Sequence, residues 1–134
     1  MPEKNGGKSP NEKLYKAFRE QNYNVKIIYM SPEKLSLSPK TQALIKDLHE
    51  KRLISWFVID EAHCISQWGH DFRPSYLELQ LLWEMCPEVP ITAVTATATS
   101  KVILEIKEIL KLKDPLDIRV PLNRPNLTYL KEQK

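Results

Sequence analysis

Glycine is scarce: 134 residues contain three, Gly6, Gly7 and Gly69. A phosphate-cradling loop of the form G-x-x-x-x-G-K-[ST] therefore has one place to go, Gly6-Gly7-Lys8-Ser9. Counting back, its first glycine falls on Pro2, which lacks the amide hydrogen such a cradle uses, and there is no room for a strand before it. Gly6 to Pro10 reads instead as a flexible loop. The two cysteines, Cys64 and Cys86, form no C-x-x-C pair, nothing in their spacing argues for a bridge, and a reducing interior suits them. Neither a signal peptide nor a long apolar span is present, so no membrane partner is expected. An excess of one charge is lacking too. The net charge of +3 does not by itself imply nucleic acid, and the cations are scattered along solvated helix faces. One domain's length, enough to bury a core, with no internal repeat, is what remains.

What the chain does have is concentrated in residues 58–74. Ile54-Ser55-Trp56-Phe57-Val58-Ile59 is short and nearly continuously apolar, as in a strand buried on both faces of a parallel sheet. Asp60 and Glu61 then sit at its carboxyl end, where open α/β sheets bind ligands. An Asp there can hold Mg²⁺ with waters and substrate phosphates, and a neighbouring Glu can orient and deprotonate a water. Taken alone, an Asp-Glu pair reads as two solvated acids at a strand end, because so short a motif matches by chance. The loop that follows changes the weighing. Gln67, Trp68, His70, Phe72 and Arg73 gather aromatic faces and cations around Gly69, which supplies backbone freedom. Aromatic stacking is worth about 1–3 kcal/mol per unpaired base, so this composition suits single-stranded nucleic acid. The competing reading has Trp68 and Phe72 plugging the core while Arg73 pairs with Asp71.

Asp60-Glu61-Ala62-His63, continued by Cys64-Ile65-Ser66-Gln67-Trp68-Gly69-His70-Asp71-Phe72-Arg73-Pro74-Ser75-Tyr76, resembles motif II and the adjoining aromatic-rich loop of RecQ-type DNA helicases. Other DEAH helicases share the four-letter box but not the loop. Ile28-Tyr29-Met30-Ser31-Pro32-Glu33-Lys34-Leu35 is similar to the strand and turn preceding motif II, Thr95-Ala96-Thr97-Ala98-Thr99 resembles motif III, and Asn123-Arg124-Pro125-Asn126-Leu127 resembles the exit toward the second motor domain. The stretch before the DEAH strand looks closest to eukaryotic Bloom-type members.

The resemblance implies a partial RecA-like, P-loop NTPase type parallel sheet flanked by helices. It assigns 1–22 to an N-terminal loop and helix, 23–120 to the C-terminal part of the first RecA-like domain, and 121–134 to the connection toward a second lobe. It also implies roles: Glu61, Asp60 and His63 as catalytic residues, Asp60 as the Mg²⁺ ligand, and Asp60, Thr95 and Thr97 at ATP. Gln67, Trp68, His70, Phe72, Arg73 and Ser31 would serve DNA binding and coupling. Partners would be ATP, single-stranded and forked DNA and the other lobe, in a nucleus if the source is eukaryotic and in cytoplasm otherwise.

Read for elements, the chain alternates helix and strand, which argues for parallel strands with right-handed crossovers. Helices are expected from Glu12 to about Gln21 with Asn11 as cap, from Thr41 to Arg52, from Ser75 to Cys86, and from Lys101 to Leu112 with Ser100 as cap. Ser31-Pro32-Glu33 should start a helical turn. Strands are expected at Val25–Met30, Ile54–Ile59, Ile91–Thr95 and Asp117–Val120. Asp60 should lie at the end of a central strand, within reach of the Thr95–Thr99 turn, whose hydroxyls either line one side of a strand end or relay the nucleotide state.

Three classes of function remain. The first is an ATP-dependent 3′-5′ DNA helicase of the RecQ family, acting in replication, recombination and repair, of which this sequence is a piece without a phosphate loop or second motor domain. The others are a catalytically inactive DNA-binding fragment and a protein-interaction fragment.

Overall fold

A computed structural model describes residues 10–20, 24–121, 123–128 and 130–131. The Gly6-Gly7-Lys8-Ser9 segment lies outside them. Two strands, β1 (Phe57–Ile59) and β2 (Ile91–Ala93), pair in parallel with Phe57 opposite Ile91 and Ile59 opposite Ala93. Around them stand helices α1 (Pro10–Arg19), α2 (Pro32–Leu37), α3 (Pro39–Glu50), α4 (Gln80–Met85) and α5 (Ser100–Ile109), with two 3-10 helices at Ala62–Ile65 and Pro74–Leu79. This is an α/β arrangement with a small parallel sheet. None of the described helices is long and apolar enough to cross a membrane.

Local chemistry sets most boundaries. Ser31 caps α2 by accepting from the Lys34 amide at 3.3 Å, and Pro32 occupies the first turn, where a missing N–H costs nothing. Ser38 repeats the device for α3, accepting from the Thr41 amide, so that helix starts at Pro39, two residues before the expected Thr41. In α5 the cap is Thr99, accepting from the Val102 amide at 3.4 Å, and Ser100 is already helical. α1 begins at Pro10, which puts Asn11 inside the helix and not at its cap.

Side-chain alternation explains which face of the sheet is covered. Phe57, Ile59, Ile91 and Ala93 point to the core, which Leu35, Ile45, Ala62, Ile65, Leu79, Leu82, Cys86, Val102, Ile106 and Leu110 fill. Val58, between them, is 64% exposed, and Trp56 is 59% exposed with its indole N–H donating to the Thr92 hydroxyl at 2.7 Å. The strand is therefore buried on one face, not both: core residues of α2, α3, α4 and α5 lie on the side of Phe57 and Ile59. Neither strand is central, since the described residues form two strands only.

The other expected strands are not there. Val25–Met30 runs without ladder partners, with Ile27 and Tyr29 largely exposed, and Asp117–Val120 is equally unpaired. Propensity alone does not make a strand; a neighbour must supply the hydrogen bonds. The expected helix Ser75–Cys86 divides into a 3-10 turn through Leu79 and a short α4, after Pro74 opens it. Its Leu79 and Leu82 are buried while Leu81, Trp83 and Met85 are half-buried, so it lies at the rim of the core. Cys64 and Cys86 are both buried and free.

Ile65 is fully buried at the centre of the cluster, and Ile65→Ala should cost about 2–5 kcal/mol in urea denaturation. Leu104→Ala, on the exposed side of α5, should stay within about 0.5 kcal/mol of the parent chain.

Candidate functional site

At the carboxyl end of β1 the chain turns sharply. The Asp60 carboxylate accepts from the Glu61 amide at 2.9 Å, and Glu61 adopts left-handed backbone angles, φ 50 and ψ 40. A non-glycine residue held there stores about 1–3 kcal/mol of strain, and such strain collects at functional sites. Its result is that Asp60 and Glu61 both stay exposed while Ala62, His63, Cys64 and Ile65 go directly inward as a 3-10 turn. Asp60 is placed from behind as well: the Tyr76 hydroxyl donates to its carbonyl at 3.3 Å.

His63 is buried and joins three segments. Its Nδ1 lies 2.9 Å from the Thr95 hydroxyl and 3.2 Å from a Glu61 carboxylate oxygen. The Thr95 oxygen also accepts from the Thr97 amide at 3.3 Å and donates to the Thr97 carbonyl at 3.4 Å. These bonds are all satisfied together when the histidine proton is on Nδ1, with Thr95 accepting from it. The turns that follow the two parallel strands, at the same end of the sheet, are thereby connected: the Asp60–Glu61 turn through His63 to the Thr95–Thr99 turn. Thr99 completes the second turn by capping α5.

The aromatic loop hangs from the same 3-10 turn. Ser66, fully buried, accepts from the Trp68 amide through its hydroxyl at 3.1 Å and from the Gly69 amide through its carbonyl at 3.1 Å. The Arg73 amide returns to the Cys64 carbonyl at 2.9 Å and closes the loop. Gly69 is needed for space rather than for dihedral freedom, because no described glycine has a positive φ. A Cβ at this position would stand 3.0 Å from the His63 carbonyl and 3.2 Å from that of Ser66.

Side chains on the loop divide clearly. Trp68 is 68% exposed and Gln67, His70 and Arg73 are exposed, while Phe72 is half-buried. The His70 ring stacks on that of His63 with centroids 5.5 Å apart. Arg73 lies 3.5 Å from Asp71, both well exposed, a pairing worth little in water. Trp68 thus does not plug the core, and Arg73 does meet Asp71. Ser31 spends its hydroxyl on the α2 cap. The same turn touches the loop's far end, where the Ser75 hydroxyl beside Glu33 holds that carboxyl below the usual range, helped by the Arg73 charge.

Three residues of the site were given no role from the sequence: Tyr76, Cys64 and Lys101. Tyr76 lay at the very end of the motif-like run, and its role rests on a bond sixteen residues back in the chain. Cys64 Sγ lies 3.7 Å from an Asp71 carboxylate oxygen and 3.8 Å from His63 Nε2, tying the loop to the box. Burial, reinforced by the Asp71 charge, pushes the Cys64 thiol up, so it stays a neutral donor. Lys101 places its ammonium 3.1 Å from the centre of the Trp68 ring.

The exposed Asp60 carboxylate at a strand end has the oxygen chemistry that Mg²⁺ takes, with water and phosphate oxygens as its other ligands. Glu61 is exposed with a carboxylate oxygen 3.2 Å from His63 Nδ1, and a carboxylate has the chemistry of a general base. A cleft of about 360 Å³ between α1 and α3, lined by Tyr15, Lys40 and Asp47 among others, includes none of these residues.

A strand-end acid pair, a histidine bonded to a threonine turn and a loop with an exposed tryptophan thus share one end of the sheet. The family model for DEAD/DEAH box helicases matches residues 3–106, and the chain belongs to that family. Among curated proteins it is 43% identical over 125 residues to the RecQ-like DNA helicase blm-1 of Caenorhabditis elegans, covering 92% of this chain and 13% of that protein. It is 41% identical over 128 residues to ATP-dependent DNA helicase Q-like 2 of Arabidopsis thaliana, covering 96% of this chain and 18% of that one. With the RecQ-like DNA helicase BLM of Xenopus laevis it shares 40% over 116 residues, 87% of this chain and 8% of the relative. The chain thus spans less than a fifth of the length of these relatives.

Gly69→Ala should destabilise the chain by about 1–3 kcal/mol, because backbone carbonyls, not flexible side chains, must move aside; an unchanged thermal midpoint would show that the loop yields freely. A second expectation concerns pH. Burial raises the thiols of Cys64 and Cys86 and the Tyr76 phenol above their unfolded values, so each stabilises the fold fully below the unfolded value. Stability should hold through neutral pH and fall as pH rises through the alkaline range, and Cys64→Ala should flatten part of that fall.

Proposed function

We propose that this chain is part of the first, RecA-like motor domain of a RecQ-type DNA helicase, one that couples ATP hydrolysis to 3′-5′ movement on single-stranded DNA and to opening of forked duplexes. Residues 23–120 would form the C-terminal part of that domain, 121–134 the connection to the second lobe, and the nucleus would be the place of action. The observation that carries the reading is the single path of contacts from Asp60 and Glu61 through His63 and Ser66 to Trp68. Chemistry on one side and base stacking on the other share one short, buried 3-10 turn.

In this reading Asp60 would hold Mg²⁺, which would supply positive charge at the nucleotide phosphates, and Thr95, bonded to His63, and Thr97, bonded to Thr95, report on the nucleotide. Glu61 orients and deprotonates the attacking water, and its left-handed backbone keeps the carboxylate at His63. Gln67, Trp68, His70, Phe72 and Arg73 engage unpaired DNA, and Ser31 supports the loop through the turn it caps.

In a longer product that joins this segment to a phosphate-binding loop and a second lobe, Glu61→Gln should lower DNA-stimulated ATP turnover by about a hundredfold or more. Retained turnover would remove Glu61 from the role of base. The 134-residue polypeptide by itself has no G-x-x-x-x-G-K-[ST] loop, and phosphate release from it should stay at background with or without single-stranded DNA.

A further inference from the structure

Lys101 stands where an α-helix least favours a cation. It is in the first turn of α5, at the positive end of the helix dipole, and no acidic residue shares that turn. Its ammonium lies instead on the face of the Trp68 indole, 3.1 Å from the ring centre. Trp68 remains 68% exposed in spite of this contact, so the ring is held on one face and open to solvent elsewhere. Its backbone is fixed from below by the Ser66 hydroxyl.

We infer that Lys101 is a positioning residue for single-stranded DNA: it clamps the Trp68 ring from the α5 side and so presents the opposite face as a ready-made stacking platform for an unpaired base. Ordering an exposed tryptophan before binding removes a cost that the DNA contact would otherwise have to overcome. The clamp also closes a circuit. His63 bonds Thr95, Thr95 bonds Thr97, Thr99 caps α5, Lys101 in the first turn of α5 holds Trp68, and Ser66 joins Trp68 back to His63. A shift of the Thr95 turn therefore moves the platform through Lys101 as well as through the 3-10 turn. This role rests on the proposed DNA-binding function of the loop, and its test separates the two.

The first arm needs no DNA. In the full chain carrying Trp56→Phe and Trp83→Phe, Trp68 is the one emitting indole. Lys101→Met, which keeps the stem and removes the charge, should lower Trp68 anisotropy and raise its quenching by acrylamide, and Lys101→Arg should restore both. Unchanged quenching in Lys101→Met overturns the clamp. The second arm measures binding of a labelled oligothymidylate of about 16 nucleotides. Trp68→Ala should weaken it about fivefold or more, and Lys101→Met about two- to fivefold, the worth of an exposed cation–π contact. The Lys101→Met loss should vanish in a Trp68→Ala background, with the salt dependence unchanged. A loss that persists in that background, with the salt slope reduced by about 0.7, makes Lys101 an independent phosphate contact and overturns the proposal. Binding unaffected by Trp68→Ala, with the quenching result intact, refutes the DNA role of the loop and leaves the clamp without its platform function.

Discussion

Beyond the last paired residues of the two strands, the Val94 amide donates to the Ile59 carbonyl at 2.8 Å and the Val94 carbonyl accepts from the Ala62 amide at 2.9 Å. These two bonds carry the parallel pairing past the end of the ladder and across the Asp60–Glu61 turn. Because Ala62 is held to Val94, the residue after it, His63, comes beside the residue after Val94, Thr95. Glu61 must then bridge Asp60 and Ala62 in a left-handed conformation, and the 3-10 turn must point inward. The exposed acids, the buried histidine and the solvent-facing loop all follow from that one fixed crossing of backbone.

The energy for holding this arrangement comes from below it. Ala62, Cys64 and Ile65 are among the most buried residues, and α5 packs directly on their turn. Burial of roughly 1.5–3 kcal/mol per large apolar side chain exceeds the strain of a single left-handed glutamate. The surface ion pairs, such as Lys51 with Asp47 and Lys107 with Asp117, contribute far less.

What could be read from the sequence was what is decided locally. Ser31 before Pro32 specifies a capped turn within three residues, and the apolar run into Asp60 and Glu61 specifies a strand end with acids. The position of Asp60 beside the Thr95 turn followed from the α/β pattern. What could not be read was decided by partners distant in the chain. Val25–Met30 has the composition of a strand, but a ladder needs a second backbone, and composition does not say whether one is adjacent. Val58 lies in an apolar run and still faces outward, since alternation sets it opposite Phe57 and Ile59, which take the core side. Gly69 looked like a residue chosen for its dihedral angles; the carbonyls of His63 and Ser66 make it a residue chosen for its missing Cβ. Tyr76 and Lys101 look like an ordinary aromatic and an ordinary surface lysine until the fold brings Asp60 and Trp68 to them.

The outward face of the sheet has an optical consequence. Trp56 lies in water with its indole N–H on Thr92, beside exposed Val58. Indole emission shifts toward the blue when the ring loses its surrounding water. Any polypeptide segment that comes to rest on that face will therefore announce itself in the colour of Trp56, on the opposite side of the strand from the core residues Phe57 and Ile59.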